Sequence, residues 1–342
     1  GGVITASEGN FAAYSTVWLL EAAAYCAVNC YALISGYVGY SDRPKPLRLA
    51  RCIELWLQVV FYSVIITTVY CIAGVGSVGV SDFADAFLPV TSKQYWYFTA
   101  YIGMFFFIPL LNALVRRLNR RALVSLCIML IAVFSLYDTF ASFWKKDPLA
   151  LVGGHSPLWL GVLYIFGAAM KKLRIPESIP SKKALLVYFS AAVFTALFKI
   201  TGDRLLCFIP GSLFVRDTSP TVLLCAAALS VAFARFKPGR KLIEFAVLFA
   251  PAAFGVYLLH VSPLVFEHVI GNRFAFIGRL PFPLIPFAVL ASAGVILVVG
   301  LAADKVRILL FKALGIPKLC QKAEKTIRRL WMHVVDAAAK WE

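Results

Sequence analysis

The sequence predicts an all-α fold, a polytopic bundle of transmembrane helices. Three observations predict it. Hydrophobic residues make up 61% of the 342 residues and charged residues only 15%, with a mean hydropathy of +0.81, too apolar for a domain facing water. The apolar residues are gathered into runs near the length of about 20 residues that crosses hydrocarbon. No run alternates as a barrel strand would, so backbone groups in lipid must be satisfied within helices.

Nine runs qualify as spans: 14–37, 52–73, 95–115, 122–138, 157–170, 184–200, 218–234, 242–260 and 283–302, of which the fifth and sixth are short. The loops between them set an orientation. Of the 34 lysines and arginines, 26 fall on one side: in 38–51, 116–121, 171–183, 235–241 and 303–342. The other side holds Lys93, Lys145, Lys146, Lys199, Arg204, Arg216, Arg273 and Arg279. The richer side is expected to be cytoplasmic, which places the N-terminus outside and the C-terminus inside. The same asymmetry accounts for the net charge of +17 without nucleic acid as a partner.

Two regions follow: a membrane bundle over 1–302 and a cytoplasmic basic tail over 303–342. In the tail Leu319, Ala323, Ile327, Leu330, Val334, Ala338 and Trp341 repeat at steps of three and four. That period marks one apolar helical face among lysines and arginines, a pattern suited to lying on the inner leaflet. A solvated tail is the other reading. No internal repeat or low-complexity segment is present, and no charged start, short apolar core and cleavage site is seen that would read as a secretory leader.

Soluble-enzyme chemistry leaves no trace. There is no Gly-x-Ser-x-Gly elbow, Walker loop or His-Glu-x-x-His pair, and no metal is expected. Cys26, Cys30, Cys52, Cys71, Cys127, Cys207, Cys225 and Cys320 show no Cys-x-x-Cys pairing. Most lie in apolar runs, where a thiol behaves as a small hydrophobe.

The chain is organised around 29–51, where an apolar run through Ser35 and Gly36 gives way to a turn with Pro44 and Pro46, then to Arg48 and Arg51 at the head of the next run. Three-residue spacing on a helix sets side chains on one face. Two guanidiniums there can grip a phosphate or pyrophosphate. On spacing alone the plainer reading is that they are ordinary positive-inside arginines. Polar groups within spans are costly and need a reason. Glu21 and Asn29 in the first run can line a cavity or bond neighbouring helices. Glu54 and Glu244 read as partners of nearby arginines. Trp96 and Tyr97 fit an aromatic belt or a platform for a sugar ring. His260 closes the eighth run at the outer boundary, as a structural group or a base. His155, His268 and His333 show no constellation in the sequence.

At Ile34-Ser35-Gly36-Tyr37, Arg48-x-x-Arg51, Tyr95-Trp96-Tyr97-Phe98 with Pro109-Leu110-Leu111-Asn112, Ser156-Pro157-Leu158-Trp159, and Tyr257-Leu258-Leu259-His260 with Pro263-Leu264, the chain resembles the acyltransferase family 3 membrane proteins. The matches run in family order along nearly the whole chain. The resemblance implies about ten spans in a bacterial cytoplasmic membrane, and transfer of an acyl group, often acetyl, from cytoplasmic acyl-CoA to a sugar hydroxyl of a surface polysaccharide or its precursor. It assigns the donor to Arg48 and Arg51, and the Tyr-x-x-His-x-x-Pro-Leu stretch to Tyr257, His260, Pro263 and Leu264. No bound cofactor is implied; acyl-CoA is a substrate, the glycan the acceptor, and membrane lipid the remaining partner. The family's first span carries an arginine and a catalytic histidine. Nine runs, an outside start and Gly1 in place of Met lead to the expectation that this span precedes the chain given.

The site expected from these readings comprises His260 as catalytic residue, Arg48 and Arg51 at the donor, and Glu21, Asn29, Ser35, Trp96, Tyr97 and Tyr257 lining a cavity or binding the acceptor. Two rival functions remain open: a transporter or flippase for a glycan or lipid-linked intermediate, and an inactive relative acting as a membrane binding partner. A transporter would show broken helices or a charge pathway at mid-membrane.

Overall fold

The computed structural model describes residues 2–75, 78–204 and 209–338; Gly1, Cys207 and Trp341 lie outside them, as do the side chains of Val334 and Ala338. Among the described residues the secondary structure is helical, with no strand. Six helices are long and apolar enough to cross a membrane: Phe11–Gly39, Leu49–Ala73, Arg120–Phe143, Ser181–Arg204, Arg240–Val261 and Ile285–Ala313. A bent pair, Trp96–Phe105 and Ile108–Arg117, raises this to seven if the pair is one span; its halves meet at 57°. Pro109 in the first turn of the second half explains the break, since its ring cannot continue a helix.

Each of the nine expected runs coincides with helix, but not all have spanning length. Pro157–Lys172 has 16 residues and Pro220–Ala234 has 15. The sixth run, read as short, is a 24-residue helix, Ser181–Arg204. Its ends carry Lys182, Lys183, Lys199 and Arg204, so hydropathy alone shortened it. Only 11% of the most apolar window of Ile285–Ala313 is buried. Phe287, Leu290, Val298 and Val306 on it are exposed. Such a surface belongs in hydrocarbon.

The chain divides into two compact units. The first comprises Gly1–Lys45, Trp96–Gly239 and Asn272–Leu290. Its axis is the Pro157–Lys172 helix, apolar all round and enclosed, with Trp159, Leu160, Leu163 and Tyr164 buried. Ser156 caps it by accepting from the Trp159 N–H at 3.2 Å, and Pro157 opens it. Against it lies Ala27–Gly39, brought close by two glycines. A Cβ on Gly36 would stand 2.0 Å from the Tyr164 carbonyl oxygen, and one on Gly167 2.0 Å from that of Leu33. Small residues at such a crossing let backbones approach where the hydrophobic effect cannot drive helices together. At the far end Lys171 donates to the Tyr40 carbonyl at 2.9 Å, and Lys172 to those of Val115, Arg116 and Leu118 at 2.8, 3.0 and 2.6 Å. Its three ammonium protons thereby satisfy carbonyls at and beyond a helix end.

The second unit comprises Pro46–Tyr95, Arg240–Gly271 and Ala291–Glu342. The last apolar helix does not stop at residue 302. It runs to Ala313 and carries Asp304 and Arg307 with side chains 0% and 5% exposed. Asp304 Oδ1 accepts from Gln58 Nε2 at 3.0 Å, Tyr62 OH at 2.9 Å and Arg307 Nε at 3.0 Å; Oδ2 accepts from Arg307 Nη2 at 2.6 Å. A charge that looks like a span boundary in sequence is here a satisfied buried pair. Removing one partner strands the other in a low-dielectric site. Asp304→Ala is expected to cost about 3–5 kcal/mol, whereas Asp304→Leu combined with Arg307→Met should recover most of it. Thermal unfolding in detergent measures both; equal losses would contradict this account.

After Gly315 the amphipathic helix Ile316–Ala338 turns back onto the start of Leu49–Ala73. The Glu324 carboxylate accepts from the Leu49 and Ala50 N–H groups, both at 3.2 Å, and from Arg328 at 2.7 and 3.1 Å. Arg328 also donates to the Leu47 carbonyl. Arg48, the residue at the cap position, gives no side-chain cap, so Glu324 supplies it and places negative charge at the positive end of the helix. The Arg328 hydrogen bond, aided by the two N–H groups, holds the Glu324 carboxyl below the ordinary carboxylate range. A lowered folded pKa means stability that is present above the unfolded value and lost as pH falls through the folded one. The clasp is therefore expected to hold at neutral pH and to release on acidification, and Glu324→Gln should loosen it at neutral pH and abolish the acid step. Protease sensitivity of the tail as a function of pH checks this; a tail equally protected in the variant would refute it.

Candidate functional site

In the second unit, Arg48 and Arg51 stand at the start of the Leu49–Ala73 helix. The expectation of one helical face is modified: the helix begins at Leu49, and Arg48 is its cap, with φ −86° and ψ 77°. Arg48 is exposed. The Arg51 side chain is 57% exposed and pairs with Glu54 at 3.3 Å. Glu244 likewise pairs with Arg240 at 2.8 Å. An exposed pair of guanidiniums beside a helix N-terminus suits an anionic group.

Within the same unit the Ala253–Val261 helix carries Tyr257 and His260. His260 Nδ1 lies 2.7 Å from the Val256 carbonyl. A carbonyl only accepts, so Nδ1 carries the proton and Nε2 of the neutral ring keeps its lone pair. The Tyr257 ring stands edge-on to His260, with centroids 6.2 Å apart, and 6.1 Å from the ring of buried Tyr95.

The first unit gathers another cluster. Asn29, fully buried, donates from Nδ2 to the Asp217 carbonyl at 2.7 Å and accepts from Trp159 Nε1 at 3.1 Å. The Asp217 carboxylate faces His155, with Oδ2 3.3 Å from Nε2, and the His155 ring stacks on Trp96 at 3.9 Å and 20°. Next to them Thr218 donates to Asp138 Oδ2 at 2.7 Å, and Arg216 Nη2 lies 3.7 Å from the same oxygen. Asp138 directly follows a π-helical turn, Ala132–Tyr137, a distortion that recurs at functional sites.

The structure thus joins two of the expected residues, Asn29 and Trp96, through groups the sequence did not single out. Tyr97 lies beside this cluster, its ring 5.6 Å from that of Trp96 and 6.3 Å from that of Tyr31. Ser35 bonds its own helix, donating to the Tyr31 carbonyl at 2.9 Å. Glu21 is half-buried on the Phe11–Ala24 helix, separated from the helix of Asn29 by a turn at Tyr25 and Cys26. His155, Asp217 and Asp138 went unrecognised because they lie far apart in the chain. A faint signal existed: His155-Ser156-Pro157 and Asp217-Thr218-Ser219-Pro220 are both serine-proline helix starts.

Long helices with apolar surfaces, polar groups gathered at particular points and basic residues at helix ends define a multi-pass integral membrane protein. A family model described as an acyltransferase domain matches residues 3–303, and the chain belongs to that family, acyltransferase family 3. No curated protein and no solved structure matches the chain. Family and helices together make it a membrane acyltransferase.

Proposed function

We propose that the protein moves an acyl group, acetyl in the first instance, from acyl-CoA to a sugar hydroxyl of a cell-surface polysaccharide or its precursor, in a bacterial cytoplasmic membrane. The observation that carries the donor assignment is the exposed Arg48 and Arg51 at the start of a 25-residue membrane helix. They belong to the side that holds 26 of 34 basic residues, where positive-inside bias places the cytoplasm and its acyl-CoA. His260, with its lone pair on Nε2, is assigned to the acceptor, as a group that orients the hydroxyl or takes its proton. Trp96 and Tyr97 offer ring faces for a sugar. Exposed Leu319, Leu330 and Trp331 of the tail helix, among its basic residues, are assigned to the anionic inner leaflet.

A glycan transporter is the second reading. The bent helix pair and the buried Asp304–Arg307 pair favour it, since both are features of transport pathways. Proteoliposomes supplied with labelled acetyl-CoA and a glycan acceptor separate the two. Label joined to the acceptor through an ester supports transfer. Movement of unmodified glycan into the lumen, without ester, supports transport and overturns the first reading.

A further inference from the structure

We infer that the tail helix gates the donor site: the Glu324 carboxylate stands where a donor phosphate binds, and Arg328 is a third guanidinium that the phosphate meets once Glu324 turns aside. The inference rests on the assignment of acyl-CoA to Arg48 and Arg51 and adds the regulation of that site. All the groups involved lie in the second unit. Both oxygens of Glu324 are engaged at the start of the Leu49–Ala73 helix. Oε1 accepts from the Leu49 N–H and Oε2 from the Ala50 N–H, each at 3.2 Å. Arg48 precedes these two residues and Arg51 follows them. Two N–H groups flanked by two guanidiniums form a receptor for an anion, and the anion it holds in this structure is the protein's own.

The way this cap is supplied makes it removable. A helix start is ordinarily capped by the residue before it, a serine, threonine, aspartate or asparagine. Asn10, Asn119, Ser156 and Ser219 do so for the helices they open. Leu49–Ala73 has Arg48 in that place and takes its cap from a residue 275 positions on. A local cap leaves only when the helix frays, whereas a carboxylate borrowed from another helix leaves by a side-chain rotation. The residue chosen points the same way. The tail helix carries Lys318, Lys322, Lys325, Arg328 and Arg329, and Glu324 is the one carboxylate between Asp304 and Asp336. That single carboxylate is the group that meets the Leu49 and Ala50 N–H groups. The clasp is also within reach of water, with the Glu324 side chain 19% exposed and that of Arg328 42% exposed. A phosphate arriving from solution can therefore reach it.

The exchange breaks no covalent bond. A phosphate oxygen replaces Glu324 on the Leu49 and Ala50 N–H groups, and Arg48 and Arg51 close on the remaining oxygens. Arg328, released from Glu324, turns its guanidinium to the phosphate. Its Nε and Nη2 lie 3.1 and 2.7 Å from one Glu324 oxygen, so an anion in that place meets a fork already aimed at it. A bound donor and a closed clasp exclude each other. By linkage each weakens the other by the same factor. The closed clasp thus lowers donor affinity, and a bound donor loosens the tail.

Binding of labelled acetyl-CoA to the intact protein tests this through effects of opposite sign. Glu324→Gln removes the competing charge and should tighten binding about tenfold, the factor expected if the clasp is closed roughly nine-tenths of the time. Arg328→Ala added to Glu324→Gln should then weaken binding about tenfold, and Arg328→Lys in the same background should weaken it less. An ion pair with only a structural role would weaken binding when either partner is replaced. A second readout needs no variant. Saturating acetyl-CoA should expose the tail of the unaltered protein to protease, and should leave the already loosened tail of Glu324→Gln unchanged. Equal or weaker binding in Glu324→Gln, no further loss on adding Arg328→Ala, or a tail indifferent to acetyl-CoA would each overturn the gate while leaving the donor at Arg48 and Arg51. Absence of acetyl-CoA binding by both the unaltered protein and Glu324→Gln would instead remove the donor reading, and the gate with it.

Discussion

Gly167→Val should leave no folded first unit. The added Cβ would lie 2.0 Å from the Leu33 carbonyl oxygen and 2.8 Å from the Tyr37 nitrogen. Both are backbone atoms of a packed helix and cannot swing aside as a side-chain tip can. Restoring contact distance means pushing Ala27–Gly39 away from the central helix, which would uncover Leu33 and Tyr164 and pull Asn29 from Trp159. A loss on that scale exceeds the roughly 5–15 kcal/mol by which ordinary domains are stable. Gly161 lies on the same helix, and a Cβ added there would meet nothing within 4 Å, so Gly161→Ala is expected to be nearly neutral. Size-exclusion profiles of detergent extracts report both. A monodisperse, thermally normal Gly167→Val protein would mean that the close crossing is not required.

The second large effect is expected at the donor. Arg48→Ala with Arg51→Ala should reduce acyl-CoA affinity at least 100-fold. Hydrogen bonds to charged groups contribute about 1.5–3 kcal/mol each, and about 1.4 kcal/mol is tenfold in affinity. Lysine at both positions keeps the charge but not the planar fork, so it should recover only part of the loss. Helicity and insertion should be unaffected, because the Leu49–Ala73 helix is capped by Glu324 rather than by Arg48. Affinity measured with labelled acetyl-CoA decides the matter. Unchanged binding in the double variant would return both arginines to an ordinary topological role.

Much of the fold was legible because membrane helices are written in composition. The run at 157–170 is uniformly apolar, and it proved to be the enclosed axis of a unit. Asn29 stood out as a polar group too costly to leave unpaired, and it is indeed bonded at both ends of its amide. What stayed hidden depends on approach between distant segments. His155 and Asp217 are far apart in the chain and meet only because Gly154 lets the loop close. Asp304 looked like the end of a span because hydropathy registers a charge and cannot register its partners, Gln58, Tyr62 and Arg307. The tail's apolar period predicted an amphipathic helix, but not that Glu324 would cap the helix beside Arg48 and Arg51.

The most direct measurement of the central claim is stoichiometric. Intact protein in proteoliposomes receives acetyl-CoA labelled in the acetyl group together with a glycan acceptor, and released thiol and acetyl ester are counted in parallel. Acyl transfer predicts one thiol for each ester formed, with both products lost together when Arg48 and Arg51 are replaced. Thiol release without ester, or glycan movement with neither product, would contradict it.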